Sequence, residues 1–316
     1  MKLALLYTKS KLTPWKENVN AETLRFIQSH VPEYWSSEIV HFNGFSEEMK
    51  DKLSEFDLIF NLSYGYRDAG QVEVATWLEA QNFRVTTAFS GAMAVAQDKT
   101  LLPQICLPLG VNTPVICGGI TDLEDDNLYI AKPFNGSCHR NIIIESGLWF
   151  KSNPDHLDNK VIQPYIIGRE FSVAIVPANG IGDYFALPPV EILPKSGADV
   201  FIAGQEYGET YRVFDPELSL HSRAALMQQA LSLHEVMGLR GMSRTDFKVD
   251  EDGEIYVLDV NAMPNLHPEK SVMRALCKHH HYPITTLIER IISMSFSSSS
   301  FVRQSVSTSP KHGMLN

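Results

Sequence analysis

Through the first ninety residues, short apolar runs alternate with segments of helical period, and that alternation leaves few folds open. "KLALLY", "SEIVHF" and "DLIFNL" have the length and the buried character of strands. "NAETLRFIQSH", "FSEEMKDKLSEF" and "QVEVATWLEAQNF" read as helices, the last placing Val72, Ala75, Leu78 and Glu79 at helical spacing. Such a succession predicts βαβ units and a parallel sheet covered by helices. From about residue 90 the texture changes. "SGAMAVAQDKTLLPQICLPLG" reads as helical segments, "NTPVIC" as a short strand, and "LYIAKPFNGS" as a strand running into a glycine turn. "KVIQPYI", "REFSVAIV" and "GDYFALPPVEIL" follow as strands, "SRAALMQQALSLHEVMGL" as a helix, and "SRTDFKV" and "IYVLDVN" as two further strands. This second part is α+β with an antiparallel texture, so a boundary is placed near residue 90.

Composition narrows the function. The chain has 316 residues, 44% of them hydrophobic, enough for two or three compact units with real cores. Its net charge of −10 argues against a nucleic-acid partner, because phosphate backbones are gripped by clustered Lys and Arg. Cys106, Cys117, Cys138 and Cys277 show no CxxC pairing, which fits a reduced, cytoplasmic protein. The opening "MKLALLYTKSKLTPW" has too short an apolar run for a signal segment, and no stretch is long enough to span a membrane. The run His279-His280-His281 offers imidazoles to a metal but reads as an exposed helix end. The serine-rich segment from Ser293 onward lacks periodicity and reads as disordered.

The stretch "SRTDFKVDEDGEIYVLDVNAMPN" places acids inside strands. Side chains alternate along a strand, so Arg244, Asp246 and Lys248 share one face, as do Asp259 and Asn261. If the "DEDG" turn closes an antiparallel hairpin, Asp246, Asp259 and Asn261 converge. Two carboxylates and an amide oxygen suit Mg²⁺ that bridges to phosphates, and Arg244 beside them is a fixed cation for a phosphate or a developing oxyanion. The competing reading is a hairpin with a charged outer face, which fits Asp250, Asp252 and Glu254. Asn is depleted in strands, which sets Asp246, Asp259 and Asn261 apart.

A magnesium site calls for a phosphate-bearing ligand and for lysines upstream. Lys132 ends an apolar strand, where a charge is costly unless paired, and Gly136-Ser137 after it can fold over phosphates. Lys99 in "AQDKTLL" is the second candidate; a lone lysine at a strand end is more often a surface residue. In "VIQPYIIGREF" an apolar segment with backbone groups to offer is followed by Glu170, which suits adenosine, against the alternative of a plain hairpin.

In this order "AQDK", "TP", "AKP…GS", "VIQPYIIGREF", "RTD" and "LDVNAMP" resemble the ATP-grasp superfamily, and within it the D-alanine–D-alanine ligases, over roughly residues 1 to 293. The resemblance implies an N-terminal parallel-sheet α/β domain (1–90), then an ATP-grasp fold of two α+β subdomains (91–168 and 169–293), and a disordered tail (294–316). It implies that Lys99 and Lys132 bind the ATP phosphates. Gln163 would meet the adenine amino group, the backbone at Tyr165 and Ile166 would form the hinge, and Glu170 would hold the ribose. Asp246, Asp259 and Asn261 would ligate two Mg²⁺ ions, for which Mn²⁺ is a chemical substitute. Arg244 would steady the acyl-phosphate and tetrahedral intermediates, with Ser137 in the loop over the reacting centre. The implied activity is ATP-dependent joining of a carboxylate to an amine on amino-acid-like molecules, with a homodimer left open.

Departures from the family sit in the amino-acid pockets. The family's first loop ends in an acid, for which Glu17 and Glu22 are both candidates here. Its HG pair reads Tyr64-Gly65; the loop after Lys132 is one residue short, with Cys138 and His139; Asn265 stands for a glycine. The carboxylate-binding serine falls at Lys270 or Ser271, and no flap residues can be matched in 201–217. Substrates other than two D-alanines are therefore expected. The alternatives are D-alanine–D-alanine ligation itself, or an ATP-binding regulatory protein without catalysis.

Overall fold

The structure is a computed structural model, and it describes residues 1–8, 21–64, 70–135, 142–180, 182–194 and 210–297. The opening alternation folds as its period dictates. Strands β1 (Lys2–Thr8), β2 (Ser36–Phe42) and β3 (Leu58–Leu62) form a parallel sheet in the order β2-β1-β3. Helices α1 (Ala21–Gln28), α2 (Glu47–Leu53) and α3 (Gln71–Ala80) connect and cover it. β1 is apolar at nearly every position because both its faces are buried. Ala4, Leu6 and Ile59 pack with Met49, Leu53, Val74 and Leu78 on one side. Leu3, Leu5, Leu58 and Phe60 pack with Leu24 and Ile27 on the other.

That second face opens onto the largest core of the molecule. Helices α4 (Ser90–Gln97) and α5 (Leu102–Cys106) contribute Met93, Ala96, Leu102 and Cys106 to it. Residue 90 is thus where the parallel layout ends, while the apolar core continues across it. Glu79 near the end of α3 fixes the start of α4, its carboxylate accepting from Ser90 N at 2.6 Å and from Ser90 Oγ at 2.7 Å.

A small antiparallel sheet follows, β5-β4-β6, made of β4 (Leu128–Pro133), β5 (Ile143–Ser146) and β6 (Lys160–Pro164). Tyr129, Ala131 and Ile162 on one face pack with Leu123 and Phe150, the latter from α6 (Gly147–Ser152). Ile130, Lys132 and Gln163 lie on the opposite face. The stretch "NTPVIC" is a connector and not a strand. Asn112 bridges Tyr256 and Cys117 N reaches Ile162 O at 2.9 Å. Pro114 between them has no N–H with which to continue a ladder.

The third sheet runs β10-β9-β7-β11-β12, with β8 (Tyr184–Ala186) paired to β7 off that path. Its strands are β7 (Arg169–Pro177), β9 (Val190–Pro194), β10 (Thr210–Phe214), β11 (Ser243–Val249) and β12 (Ile255–Asn261). Phe171, Val173, Phe247 and Val257 face the large core, joined by Leu226, Ala230 and Leu233 of α7 (Leu220–Val236). Helices α8 (Val272–His279) and α9 (Ile284–Ser297) complete it. α9 runs into the serine-rich segment and buries Met294 and Ser295, so the expected disorder does not begin at Ser293 or Met294. Residues 298–316 lie outside the described residues. Among those described, no helix is long and apolar enough to cross a membrane.

Candidate active site

The "DEDG" segment closes the β11–β12 hairpin. Asp250 N donates to Glu254 O, Glu254 N to Asp250 Oδ1 at 2.8 Å, and Gly253 takes the left-handed φ of +85° that the turn needs. Asp250, Asp252 and Glu254 stay at the surface side of that turn. Register then brings the inner acids together: Asp246 lies opposite Asp259, and Arg244 opposite Asn261. A bulge between Asp246 and Phe247 leaves Leu258 unpaired. On β7, Ser172 lies beside Asp246 and Glu170 beside Lys248. One sheet face thus carries Glu170, Ser172, Lys248, Asp246, Arg244, Asp259 and Asn261.

Directly opposed side chains stand about 5 Å apart at Cβ, so two facing carboxylates repel unless cations answer them. Cations are present. Arg244 grips Asp246 through both oxygens, at 2.9 and 2.8 Å, and Ser172 Oγ donates to Oδ1 at 2.6 Å. Lys99 Nζ lies 3.7 Å from Asp259 Oδ1. Lys132 crosses from the small sheet to donate to Leu258 O, the carbonyl at the bulge, at 3.3 Å. Burial, helped by the charge of Lys99 and opposed by Asp259, pulls the Lys132 ammonium down to about 8. Asn261 Oδ1 accepts from Met263 N. Two carboxylates and an amide oxygen on one face, flanked by two lysines, are hard donors suited to a divalent ion shared with phosphate oxygens. They fit Mg²⁺.

The remaining nucleotide candidates lie on β6 and the turn after it, with Glu170 at the start of β7. Gln163 is 2% exposed; its Nε2 donates to Pro114 O at 2.6 Å, while Oε1 is buried with no partner. An orphaned acceptor there matches an amino group brought in by a ligand. Tyr165 N is committed to Leu128 O, so that amide belongs to the sheet edge and not to a ligand. The Tyr165 hydroxyl lies 3.3 Å from Lys248 Nζ, which also donates to Gly168 O at 3.1 Å. Ile166 is partly buried beside it. Glu170 has its carboxyl pushed up to about 7, first by burial and then by Asp246, with Lys248 and Arg244 opposing.

The pocket residues divide. Tyr64 donates to Pro264 O at 3.1 Å, which ties the end of β3 to the loop after β12. Asn265 Oδ1 accepts from His267 N, and Lys270 is exposed. Ser271 is the N-cap of α8: its hydroxyl donates to Asn265 O and accepts from Arg274 N. Glu22, in the first turn of α1, lies 3.5 Å from His267 Nε2. Glu17, Gly65, Ser137, Cys138 and His139, and residues 201–209 of the flap segment, lie outside the described residues. Ser172 and His267 escaped the sequence reading, and Lys248 was placed on the strand face but given no role. Strand alternation gave a signal for Lys248, whereas Ser172 and His267 carry none without the tertiary register.

Comparisons with known proteins point to one group of enzymes. The family model for the D-ala D-ala ligase C-terminus matches residues 152–293, which hold the hinge, Glu170 and the whole hairpin. The chain is similar to the D-alanine–D-alanine ligases and shares their ATP-grasp fold. It is 29% identical over 232 residues to the D-alanine–D-alanine ligase of Erythrobacter litoralis, an alignment spanning 67% of this chain and 69% of that one. Two solved structures share the ATP-grasp fold. The Bacillus anthracis D-alanine–D-alanine ligase complexed with ATP superimposes with TM-score 0.71 at 17% identity, over 96% of this chain and 99% of that one. The VanG D-Ala:D-Ser ligase of Enterococcus faecalis gives 0.74 at 14%, over 93% and 99%.

Proposed function

We propose that this protein is an ATP-dependent carboxylate–amine ligase that joins amino-acid-like substrates, releasing ADP and phosphate. The observation that carries this reading is the convergence of Lys99 and Lys132 on the Asp246–Asp259–Asn261 face. Lys99 and Lys132 hold the ATP phosphates. Gln163 Oε1 accepts from the adenine amino group, the backbone around Ile166 meets the ring edge, and Glu170 accepts from the ribose hydroxyls. Asp246, Asp259 and Asn261 hold two Mg²⁺ ions, or Mn²⁺ in their place, which neutralise charge on the phosphates when bound.

A substrate carboxylate oxygen takes the γ-phosphoryl group, ADP leaves, and an acyl phosphate results. The amine nitrogen of the second substrate then attacks the carbonyl carbon. Arg244, held rigid by its paired bonds to Asp246, faces the oxygen on which charge develops. The nitrogen loses a proton, the C–N bond forms and phosphate departs. Glu22, which lies 3.5 Å from His267 Nε2, is taken as the acid that meets the first substrate's ammonium.

The substrate pair is inferred to differ from two D-alanines. The Ser271 hydroxyl is committed to Asn265 O and Arg274 N, and the neighbouring Lys270 offers an ammonium in its stead. A full charge suits an acidic or larger amino-acid-like partner. Similarity to the Erythrobacter litoralis D-alanine–D-alanine ligase favours D-alanine–D-alanine ligation as the second reading. Steady-state comparison across a matrix of amino-acid pairs decides between them. An acidic or larger partner should give the highest kcat/KM; two D-alanines giving the highest value would establish the second reading.

A further inference from the structure

Away from the nucleotide face, one group of side chains has no role in the ligase chemistry. Asp215 follows the edge strand β10, and His279 and His280 end α8. One ligand atom from each lies within 4.8 Å of the other two. β10 and β12 are four strand spacings apart, about 19 Å across the sheet, so this group is remote from Asp259 and Asn261. The histidine run that reads as an exposed helix end is half-buried at His279 and His280, and Asp215 comes to it from 64 residues away in sequence.

Each member is arranged as a metal ligand is. Asp215 Oδ2 lies 2.6 Å from His279 Nε2, while Oδ1 is 3.7 Å from Arg223 Nη1. Arg223 thus orients the carboxylate through one oxygen and leaves the other toward the imidazoles. The His279 ring stacks on Phe214, centroids 4.5 Å apart and 17° from parallel, which fixes its plane. The His280 ring stands across it at 84°. His280 donates to the Pro188 carbonyl, and its Nε2 is buried with no partner. A histidine that gives one ring N–H to a backbone carbonyl and aims a bare nitrogen elsewhere has the tautomer of a ligating imidazole. Among the described residues this is the only cluster of three such groups.

We propose that Asp215, His279 and His280 form a binding site for a divalent transition-metal ion of the Zn²⁺ class, separate from the oxygen-donor face of the hairpin. Two imidazoles and one carboxylate select such an ion over Mg²⁺, which prefers oxygen ligands. Tetrahedral bonds of about 2.0–2.1 Å set ligand atoms about 3.3 Å apart, so closure takes a shift of about 1.5 Å at the widest pair. The ion pins the end of β10 to the end of α8, whose first turn begins beside Lys270. It is a structural clamp, and it stands whether or not the ligase reading holds.

The test uses the full chain stripped of metal and titrated calorimetrically with ZnCl₂ in excess Mg²⁺. Wild type should bind one Zn²⁺ per chain and melt at a higher temperature with it. Asp215→Asn and His280→Ala should each weaken that binding by roughly tenfold or more, the scale on which even outer-sphere partners matter. Asparagine tolerates the left-handed φ of +50° at this position, so the first variant keeps the fold. Asp259→Ala should leave the Zn²⁺ affinity unchanged. Wild type binding no Zn²⁺ under excess Mg²⁺, or both site variants binding it as tightly as wild type, would overturn the site.

Discussion

At the scale of single residues, Lys132 is the clearest case of a charge buried at a cost in stability. It is 8% exposed, and its ammonium is answered by one carbonyl and a neighbouring carboxylate. Its pKa is about 8 in the folded chain against about 10.5 unfolded. The folded state therefore binds fewer protons between those values, and stability rises with pH across that window. Below pH 8 the full cost of burying the charge remains, on the order of 1–3 kcal/mol. Lys132→Met should raise the melting temperature of the ligand-free protein at pH 7, with the gain fading toward pH 10.5, while ATP binding by calorimetry is lost. Equal ATP affinity in the variant would reduce Lys132 to a structural residue. Lys132 was legible because a charge at the end of an apolar strand needs a reason. His267 and Ser172 were not, since an isolated histidine in a loop and a serine in a strand are ordinary until the register sets them against Glu22 and Asp246.

Among elements, the hairpin was the most legible, because alternation fixes which residues share a face and the turn residues fix where the chain reverses. Its bulge was not, since nothing in "YVLDVN" marks Leu258 as the unpaired residue whose carbonyl meets Lys132. "NTPVIC" misled because its β-branched residues mimic a strand, while Pro114 removes the N–H a ladder requires. The turn between β6 and β7 carries a sharper requirement. A Cβ on Gly168 would lie 2.2 Å from Val249 O and 2.8 Å from Asp250 Cα, both backbone atoms. Gly168→Ala must push the hinge away from β11, at a cost of about 1–3 kcal/mol. Expected are a melting temperature lower by a few degrees and weaker ADP binding, since Gly168 O also receives Lys248. A variant with wild-type ADP affinity would show that the hinge tolerates displacement.

Across the whole molecule, the parallel sheet and the large antiparallel sheet share one apolar core, and Tyr64 ties the two through its hydrogen bond to Pro264 O. That union was hidden in the sequence, where the change of texture near residue 90 suggests separate units. Composition describes local layout; packing is decided by which faces remain apolar once strands are covered. α9 seals the core with Leu287, Ile288, Ile291 and Ile292, so truncation has a defined limit. A chain ending after Ser297 should keep its melting temperature and its turnover, whereas one ending at Arg290 should lose both. A large loss of turnover in the chain ending after Ser297 would place the tail at the site. The most direct test of the ligase reading is ADP release with ATP, Mg²⁺ and pooled amino acids, with products weighed by mass spectrometry, for wild type and Asp259→Ala. Expected in wild type are amino-acid-dependent ADP release and a new mass equal to two substrates less one water. Both should vanish in the variant while its melting curve persists. No ADP release with any pool, or undiminished release from Asp259→Ala, would contradict an ATP-dependent ligase built on this hairpin.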